Sequence, residues 1–496
     1  QLVLLGNITY NKEVVMLWRP LLLVLFLFLA SYAFINVGHA HSGSDFFAPW
    51  EPDREIVARV SFHDYHLSML EFHHYDFEVL GVDLKHKTID LYLSSEELQV
   101  VRQHGHQLTL VEEKKFMLVP DSQYKTPDEI ATFLREVSQR YPEITKLESI
   151  GKSIEGRDIW ALKISDNANV NEPEESKIFF NGMHHAREVM TPEVMIDLIS
   201  TLTQGYNSDN TITNWVENNE IWVVPMLNVD GNNRVWTSNA MWRKNVAYGH
   251  GVDINRNYPF KWGTCNGSSG STWSDTYRGP SAGSEMESKA LMGLVSRTRP
   301  VFSISYHSYS ELVIYPYGCD GARAETRSVV EPIGTEIGRL LGYSPGTAWE
   351  LLYSVDGGDI DWLYGQFQVI PYVIEVNSSS EGFQPNYAKW RDKTVAKNRA
   401  GWRYLLERLS GPGLKGQVHG ATAEELAQGE VTLKIFTVQT STRTLFQNYR
   451  VNPDGSFHVI LNPGTVDVEV VRAGRSGPSH TGLVIGNSRL DMDIAL

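Results

Sequence analysis

The spacing of apolar residues divides the chain into three stretches, each with its own period. Between residues 41 and 121, short runs at 77–80, 88–93 and 107–111 read as strands. Residues 94–104 read as a helix, with Ser94 or Ser95 as its cap and Glu96 and Glu97 in the first turn. This is a small α/β unit. The second stretch opens near Tyr124, where Thr126-Pro127-Asp128-Glu129 forms a capping box with proline at the first helical position. Ile130, Phe133, Leu134 and Val137 continue it as an i, i+3, i+4, i+7 stripe, and Pro142 ends it. Continuous apolar runs follow at 178–180, 221–224, 301–304 and 369–374, with helical patterns between several of them, such as 192–202. Strands without alternation are buried on both faces, which predicts a mixed, mainly parallel sheet covered by helices on both sides.

The third stretch begins after Ser410-Gly-Pro-Gly413. Runs at 431–438, 444–451, 457–461 and 466–471, with a turn at Asn452-Pro-Asp-Gly455, predict a β-sandwich over 414–496. No internal repeat stands out. At the other end, residues 21–30 are unbroken apolar, Arg19 precedes them and Gly38-His-Ala40 follows. That order describes a secretory signal over 1–40, with Met16 as the expected initiator. The run is short for a membrane span, which needs about 20 residues; an uncleaved anchor is the alternative. The protein is expected outside the cell or in a periplasm, with no lasting membrane span.

Composition narrows the partners. With 44 Lys+Arg against 59 Asp+Glu, the net charge is −15 and no basic block occurs, which argues against nucleic acid and anionic membranes. The two cysteines, Cys265 and Cys319, form one bridge if the compartment oxidises them and stay free thiols otherwise.

The chemistry lies in the second stretch. His185 and Glu188 form an H-x-x-E pair, and His307 follows far downstream. Two neutral imidazoles and one carboxylate hold Zn²⁺ and leave a fourth position open, the pattern of a catalytic zinc site. H-x-x-E alone is a weak signal; here it follows a buried strand and precedes a helix for which Thr191 is the expected cap. His184 lacks the spacing to Glu188, so it is expected behind the ligands or simply packed. Arg243, Asn255, Arg256, Tyr309, Tyr353 and Glu375, each taken alone, read better as a surface arginine, a turn, a packed aromatic or a solvent-facing edge residue.

In order, they resemble the carboxypeptidase A family of zinc metallopeptidases over about Tyr124 to Leu409. The motifs are His185-Ala-Arg187-Glu188, Trp242-Arg243-Lys244, Gly251-Val-Asp-Ile-Asn-Arg-Asn257, His307-Ser-Tyr309 with Tyr315-Pro-Tyr-Gly318, the 353–362 tyrosine loop, and Tyr372-Val-Ile-Glu375. The resemblance implies His185, Glu188 and His307 as ligands of one Zn²⁺ and Glu375 as general base. It implies Arg243 at the oxyanion, Asn255 and Arg256 on the substrate's terminal carboxylate, and Tyr353 closing over it. Arg187 and Tyr309 should contact residues upstream of the scissile bond, and Asp253 should accept from a ligand imidazole, that of His185 first. Asn228-Val-Asp-Gly231 departs from the family's N-P-D-G and reads as a tolerated turn change.

The implied activity is release of single residues from peptide or protein C-termini. Ala348, Val355, Gly358, Ile360 and Val373 would line an apolar side-chain pocket with Ile360 at its base, although neighbouring Asp359 could turn inward. The first stretch would be a propeptide cut near 113–123, with 112–115 as the candidate site. Its histidines (63, 66, 73, 74, 86, 104 and 106) are expected on a solvated surface. The last stretch would be a transthyretin-like or regulatory-like module, either a passive folding unit or a contact for surfaces or substrates. Two rival functions remain: the same chemistry on cell-wall peptides or amino-acid conjugates, and a non-catalytic peptide- or matrix-binding member.

Overall fold

A computed structural model of the chain describes residues 56–111 and 119–496. The predicted signal, Met16 and the candidate cut at 112–115 lie outside the described residues. Pro52–Leu496 holds together as one compact unit, and no helix among the described residues is long and apolar enough to cross a membrane.

The first four strands, β1 (Ile56–Ser61), β2 (Glu78–Asp83), β3 (Thr88–Leu93) and β4 (Leu108–Leu110), form an antiparallel sheet in the order β2-β3-β1-β4. Helices Tyr65–His74 and Ser95–Gln103 belong to the same module. Ser94 caps the second helix and forms a complete capping box with Glu97. Thr126 and Glu129 do the same for Pro127–Arg140, whose stripe Ile130, Leu134 and Val137 is buried as the periodicity required.

The central sheet has eight strands: β5 (Thr145–Lys152), β6 (Asp158–Ile164), β7 (Ser176–Gly182), β8 (Asn219–Val224), β9 (Phe302–Ser308), β10 (Leu312–Tyr315), β11 (Ser344–Thr347) and β12 (Ile370–Val376). Their order is β11-β10-β12-β9-β7-β8-β6-β5. The pairings β12–β9, β9–β7, β7–β8 and β10–β11 are parallel, while β10–β12, β8–β6 and β6–β5 are antiparallel, so the sheet is mixed. Every residue of β7, β8 and β9 is buried, because layers cover both faces. The three neighbours β12, β9 and β7 run in parallel, so their C-terminal ends open on one edge, where ligands bind in open α/β sheets.

Two local expectations are corrected. Thr191 is not the cap of the helix after the H-x-x-E segment. That helix spans Met190–Gly205 with Val189 at its N-cap, and the Thr191 hydroxyl donates to the Glu188 carbonyl from inside the first turn. Asn228-Val-Asp-Gly231 is not a free turn: Asn228 caps the helix Val229–Thr237, its side chain accepting from the Gly231 N–H.

After the helix Tyr387–Leu409 come β13 (Gly413–His419), β14 (Val431–Gln439), β15 (Thr442–Arg450), β16 (Ser456–Ile460), β17 (Gly464–Arg472), β18 (Arg475–Ile485), β19 (Arg489–Asp491) and β20 (Ile494–Ala495). They make two sheets, β15-β14-β17-β18 and β16-β13-β19 with β20 beside β13, around one apolar core that includes Leu414, Leu433, Phe457 and Val468. The joint with the central stretch combines apolar packing of Ile460 and Phe446 on the central core with polar contacts. Buried His458 donates from Nε2 to the Pro173 carbonyl at 2.9 Å and meets the Ser176 hydroxyl through Nδ1 at 3.2 Å.

Burial pushes His458 down to about 4 from 6.5. Because the unfolded chain then takes up the proton first, stability is lost as pH falls from 6.5 towards 4. Thermal melts at pH 7 and pH 4.5 check this: the wild type should lose about 2–3 kcal/mol more than His458→Gln. Parallel losses would contradict it.

Candidate active site

The three predicted ligands meet at the open edge. β7 ends at Gly182, and Met183, at φ 60°, turns the chain so that His185 and Glu188 face back over the sheet. His307 is the second-last residue of β9, and Glu375 on β12 is its registered partner across the ladder. His185 Nδ1 lies 2.7 Å from Glu188 Oε1, His307 Nδ1 3.1 Å from Glu188 Oε2, and the two Nδ1 atoms 3.2 Å apart. Four-coordinate zinc with bonds of about 2.0–2.2 Å holds its donors about 3.3 Å from one another, so the spacing and the donor set fit zinc.

Each imidazole turns its other nitrogen to a fixed partner. His185 Nε2 donates to Asp253 Oδ1 at 3.2 Å, and His307 Nε2 lies 3.2 Å from the Ser305 hydroxyl. Burial disfavours charge on Glu188, yet His185 and His307 hold it well below the carboxylate range. Burial likewise lowers His307, but the Glu188 charge wins and pushes it up to about 9. The cluster therefore attracts positive charge, which a proton satisfies in the absence of a metal.

The other predicted groups surround this centre. Arg243 forks onto Asp253 Oδ2 through Nε and Nη2 at 3.2 and 2.8 Å. Against the cost of burial, Arg243, then His185 and Arg256, hold Asp253 well below its usual range. Arg256 is buried, donating to the carbonyls of Gly267 and Asn255, and its Nη2 reaches the Tyr353 hydroxyl at 3.3 Å. Asn255, Arg256, Tyr353 and Glu375 line one cavity with the ligands. Burial first, and the Glu188 charge, push Glu375 up to about 8 against the pull of His307, Arg243 and Arg256. Ala348, Val355, Gly358, Ile360 and Val373 line the same cavity.

A sequence model of the zinc carboxypeptidases matches residues 130–397, more than half of the chain. The chain belongs to the zinc carboxypeptidase family.

This is a family of hydrolases built around one catalytic zinc. A zinc carboxypeptidase from Saccharothrix mutabilis subsp. capreolus is 35% identical over 295 residues, 55% of this chain and 65% of that one. Carboxypeptidase B2 from Bos taurus is 29% identical over 256 residues, 49% of this chain and 60% of that one. The matched stretch thus spans less than two thirds of either relative. The crystal structure of carboxypeptidase A from Helicoverpa armigera superposes with a TM-score of 0.61 at 21% identity, covering 71% of this chain and 95% of that one, and shares the fold.

In this member of the family the amino-terminal module covers the cleft. Arg187 donates to Glu78 at 2.7 Å and Tyr309 to Asp90 at 3.0 Å, so both residues expected to touch substrate are held by carboxylates of the module. Val79, Leu80 and Gly81 line the catalytic cavity, and the Val82 N–H donates to the Ser310 hydroxyl. The expectation that the leading histidines form a solvated surface holds for five of the seven and fails for His73 and His106, which are half-buried. His73 packs edge-on against Tyr353 at 4.8 Å and the exposed His66 ring stacks on Trp349, because the helix Tyr65–His74 lies on the 348–353 segment, while His104 and His106 share Glu71 within the module. His63, His66, His74, His86 and His104 remain exposed.

The cysteines are bridged, Cys265 to Cys319. Asp359 lines the same cavity, where its Oδ1 accepts from the Ile360 N–H and its Oδ2 lies 3.8 Å from His184 Nε2.

Sequence reasoning missed the residues that fix the H-x-x-E segment. Asn228 donates to the carbonyls of His184 and Lys244, and Asn232 to that of Ala186. Single asparagines carry no spacing signature. The only signal was their place in a segment that the resemblance already marked.

Proposed function

We propose that this chain is an exported zinc carboxypeptidase that removes single apolar or aromatic residues from peptide C-termini, and that its amino-terminal module is an inhibitory propeptide. The observation that carries the reading is the meeting of His185, Glu188 and His307 beside Glu375, the registered partner of His307 on the neighbouring parallel strand. Bound zinc supplies a Lewis acid for the scissile carbonyl and lowers the pKa of water. Glu375 accepts the proton of the attacking water and passes it to the leaving amine. Arg243, fixed on Asp253, places positive charge where the oxyanion develops. Arg256 and Asn255 grip the terminal carboxylate by charge-assisted hydrogen bonds, which restricts cleavage to the last peptide bond. Tyr353, already within reach of Arg256, closes the same subsite.

Two observations support an apolar pocket. Ile360 lies at the cavity wall, and the flanking carboxylates that also line the cavity accept from backbone N–H groups, Asp359 from Ile360 and Asp361 from Gly318. Ile360→Asp should lower kcat/KM for a C-terminal Phe substrate about 100-fold, since it buries a charge against an apolar side chain, and should favour C-terminal Arg. Unchanged preference would remove Ile360 from the pocket. The test of the whole reading is a panel of blocked dipeptides varied at the last residue, assayed with and without chelator. Turnover that survives chelation, or that ignores amidation of the C-terminus, would overturn it.

Inhibition by the module rests on size and fit. The cleft retains a cavity of only about 80 Å³, while ligand pockets are typically about 300–1,000 Å³. A side chain at Gly81 would run into the Tyr309 ring. Overpacking of about 1–3 kcal/mol shifts a docking equilibrium about 5- to 150-fold, so Gly81→Val should raise the activity of the uncut chain by that order. Activity equal to wild type in uncut Gly81→Val would mean that the module does not close the cleft there.

A further inference from the structure

β9 carries polar side chains where its burial calls for apolar ones. Ser303, Ser305 and His307 recur at every second position, so they share one face of a fully buried strand. A buried hydroxyl is costly unless it is hydrogen-bonded, which asks what Ser305 does. Its neighbours answer. Asn181 of β7 is its registered partner, and the Ser305 hydroxyl donates to Asn181 Oδ1 at 2.9 Å. The same oxygen lies 3.2 Å from His307 Nε2 and 3.3 Å from His184 Nδ1. His184 in turn stacks on His307, ring centroids 5.3 Å apart and planes 17° apart, and its Nε2 meets the Tyr258 hydroxyl at 2.9 Å. All five side chains are buried.

Proton accounting gives this cluster a direction. His307 offers Nδ1 to the metal position, so its neutral form must carry its proton on Nε2 and needs an acceptor there. The Ser305 hydroxyl donates to Asn181 Oδ1, with the buried Asp359 carboxylate beside it, and keeps its lone pairs for the imidazole. Asp253 does for His185 what Ser305 does for His307, with a hydroxyl in place of a carboxylate.

We infer that Ser305, aligned by Asn181, is the positioning residue for the second zinc-ligating histidine, fixing the tautomer and plane of His307 while His184 clamps the face of its ring. The inference rests on the reading that His185, Glu188 and His307 hold zinc. It concerns a residue that touches neither metal nor substrate, so its measure is metal affinity before it is turnover.

The experiment is a zinc competition against a chromophoric chelator, using the full chain as wild type, Ser305→Ala and Ser305→Thr. Loss of a hydrogen-bond partner behind a ligand commonly weakens metal binding about 10- to 100-fold. Ser305→Ala should show a loss of that order, with KM for a dipeptide within about twofold of wild type, and Ser305→Thr, which restores the hydroxyl, should recover most of the affinity. Ser305→Cys carries the same test if the alanine variant does not fold, since a thiol is a poor acceptor of similar size. Wild-type affinity in Ser305→Ala, or a loss that threonine does not repair, would overturn the inference. Failure of the wild type itself to take up one zinc would instead overturn the metal reading, so the two failures are distinct.

Discussion

Replacing Glu375 by glutamine should lower kcat about 10²- to 10⁴-fold and leave KM within a few-fold. Glutamine keeps the shape and the half-buried position on β12 but cannot accept a proton. The register sets Glu375 beside His307, and Arg243 and Arg256 act on its charge from the far side of the cavity. The pH profile carries the same signature. Glu375 must be ionised to act as base, and burial raises it from 4.5 to about 8 before a metal is counted. Zinc draws it down again, so the acid limb of kcat/KM should fall between those values and vanish in Glu375→Gln. A variant retaining more than a tenth of wild-type kcat would place the base elsewhere.

Removing zinc should have an equally large effect, abolishing turnover reversibly. In the metal-free cluster Glu188 holds a proton on His307, whose pKa stands near 9. Metal uptake at neutral pH must expel that proton, so titration in weak buffer should release about one proton per zinc. Activity should return in step with the zinc added. Turnover in chelated protein would leave the convergence of two histidines and a glutamate as a structural ion pair and no more.

Much of this was legible in the chain because the decisive features are local or periodic. The capping boxes at Ser94 and Thr126 each need only a four-residue pattern, and β7, β8 and β12 announce themselves as apolar runs. What failed to announce itself lacks such a pattern. The helix Tyr65–His74 buries Ser68, Met69 and Phe72 while leaving Leu67 and Leu70 exposed, so its sequence does not look amphipathic. Strand β18 is exposed along almost its whole length and owes its form to pairing with β17. Thr191 looks like a cap, but the helix begins before it. In the site, spacing and order marked His185, Glu188 and His307, which the fold brings together. Ser305, Asn228 and Asn232 act through backbone and imidazole contacts that only the folded chain creates. The grip of Glu78 and Asp90 on Arg187 and Tyr309 joins residues 109 and 219 positions apart, a distance over which no sequence period reaches.

Anomalous diffraction at the zinc edge from crystals of the zinc-loaded chain tests the central claim most directly. It should place one peak about 2.0–2.2 Å from Nδ1 of His185, Nδ1 of His307 and a Glu188 oxygen, with the Glu375 carboxylate facing it across the cavity. A peak bound through Nε2, a peak elsewhere in the chain, or none at these three side chains would contradict it.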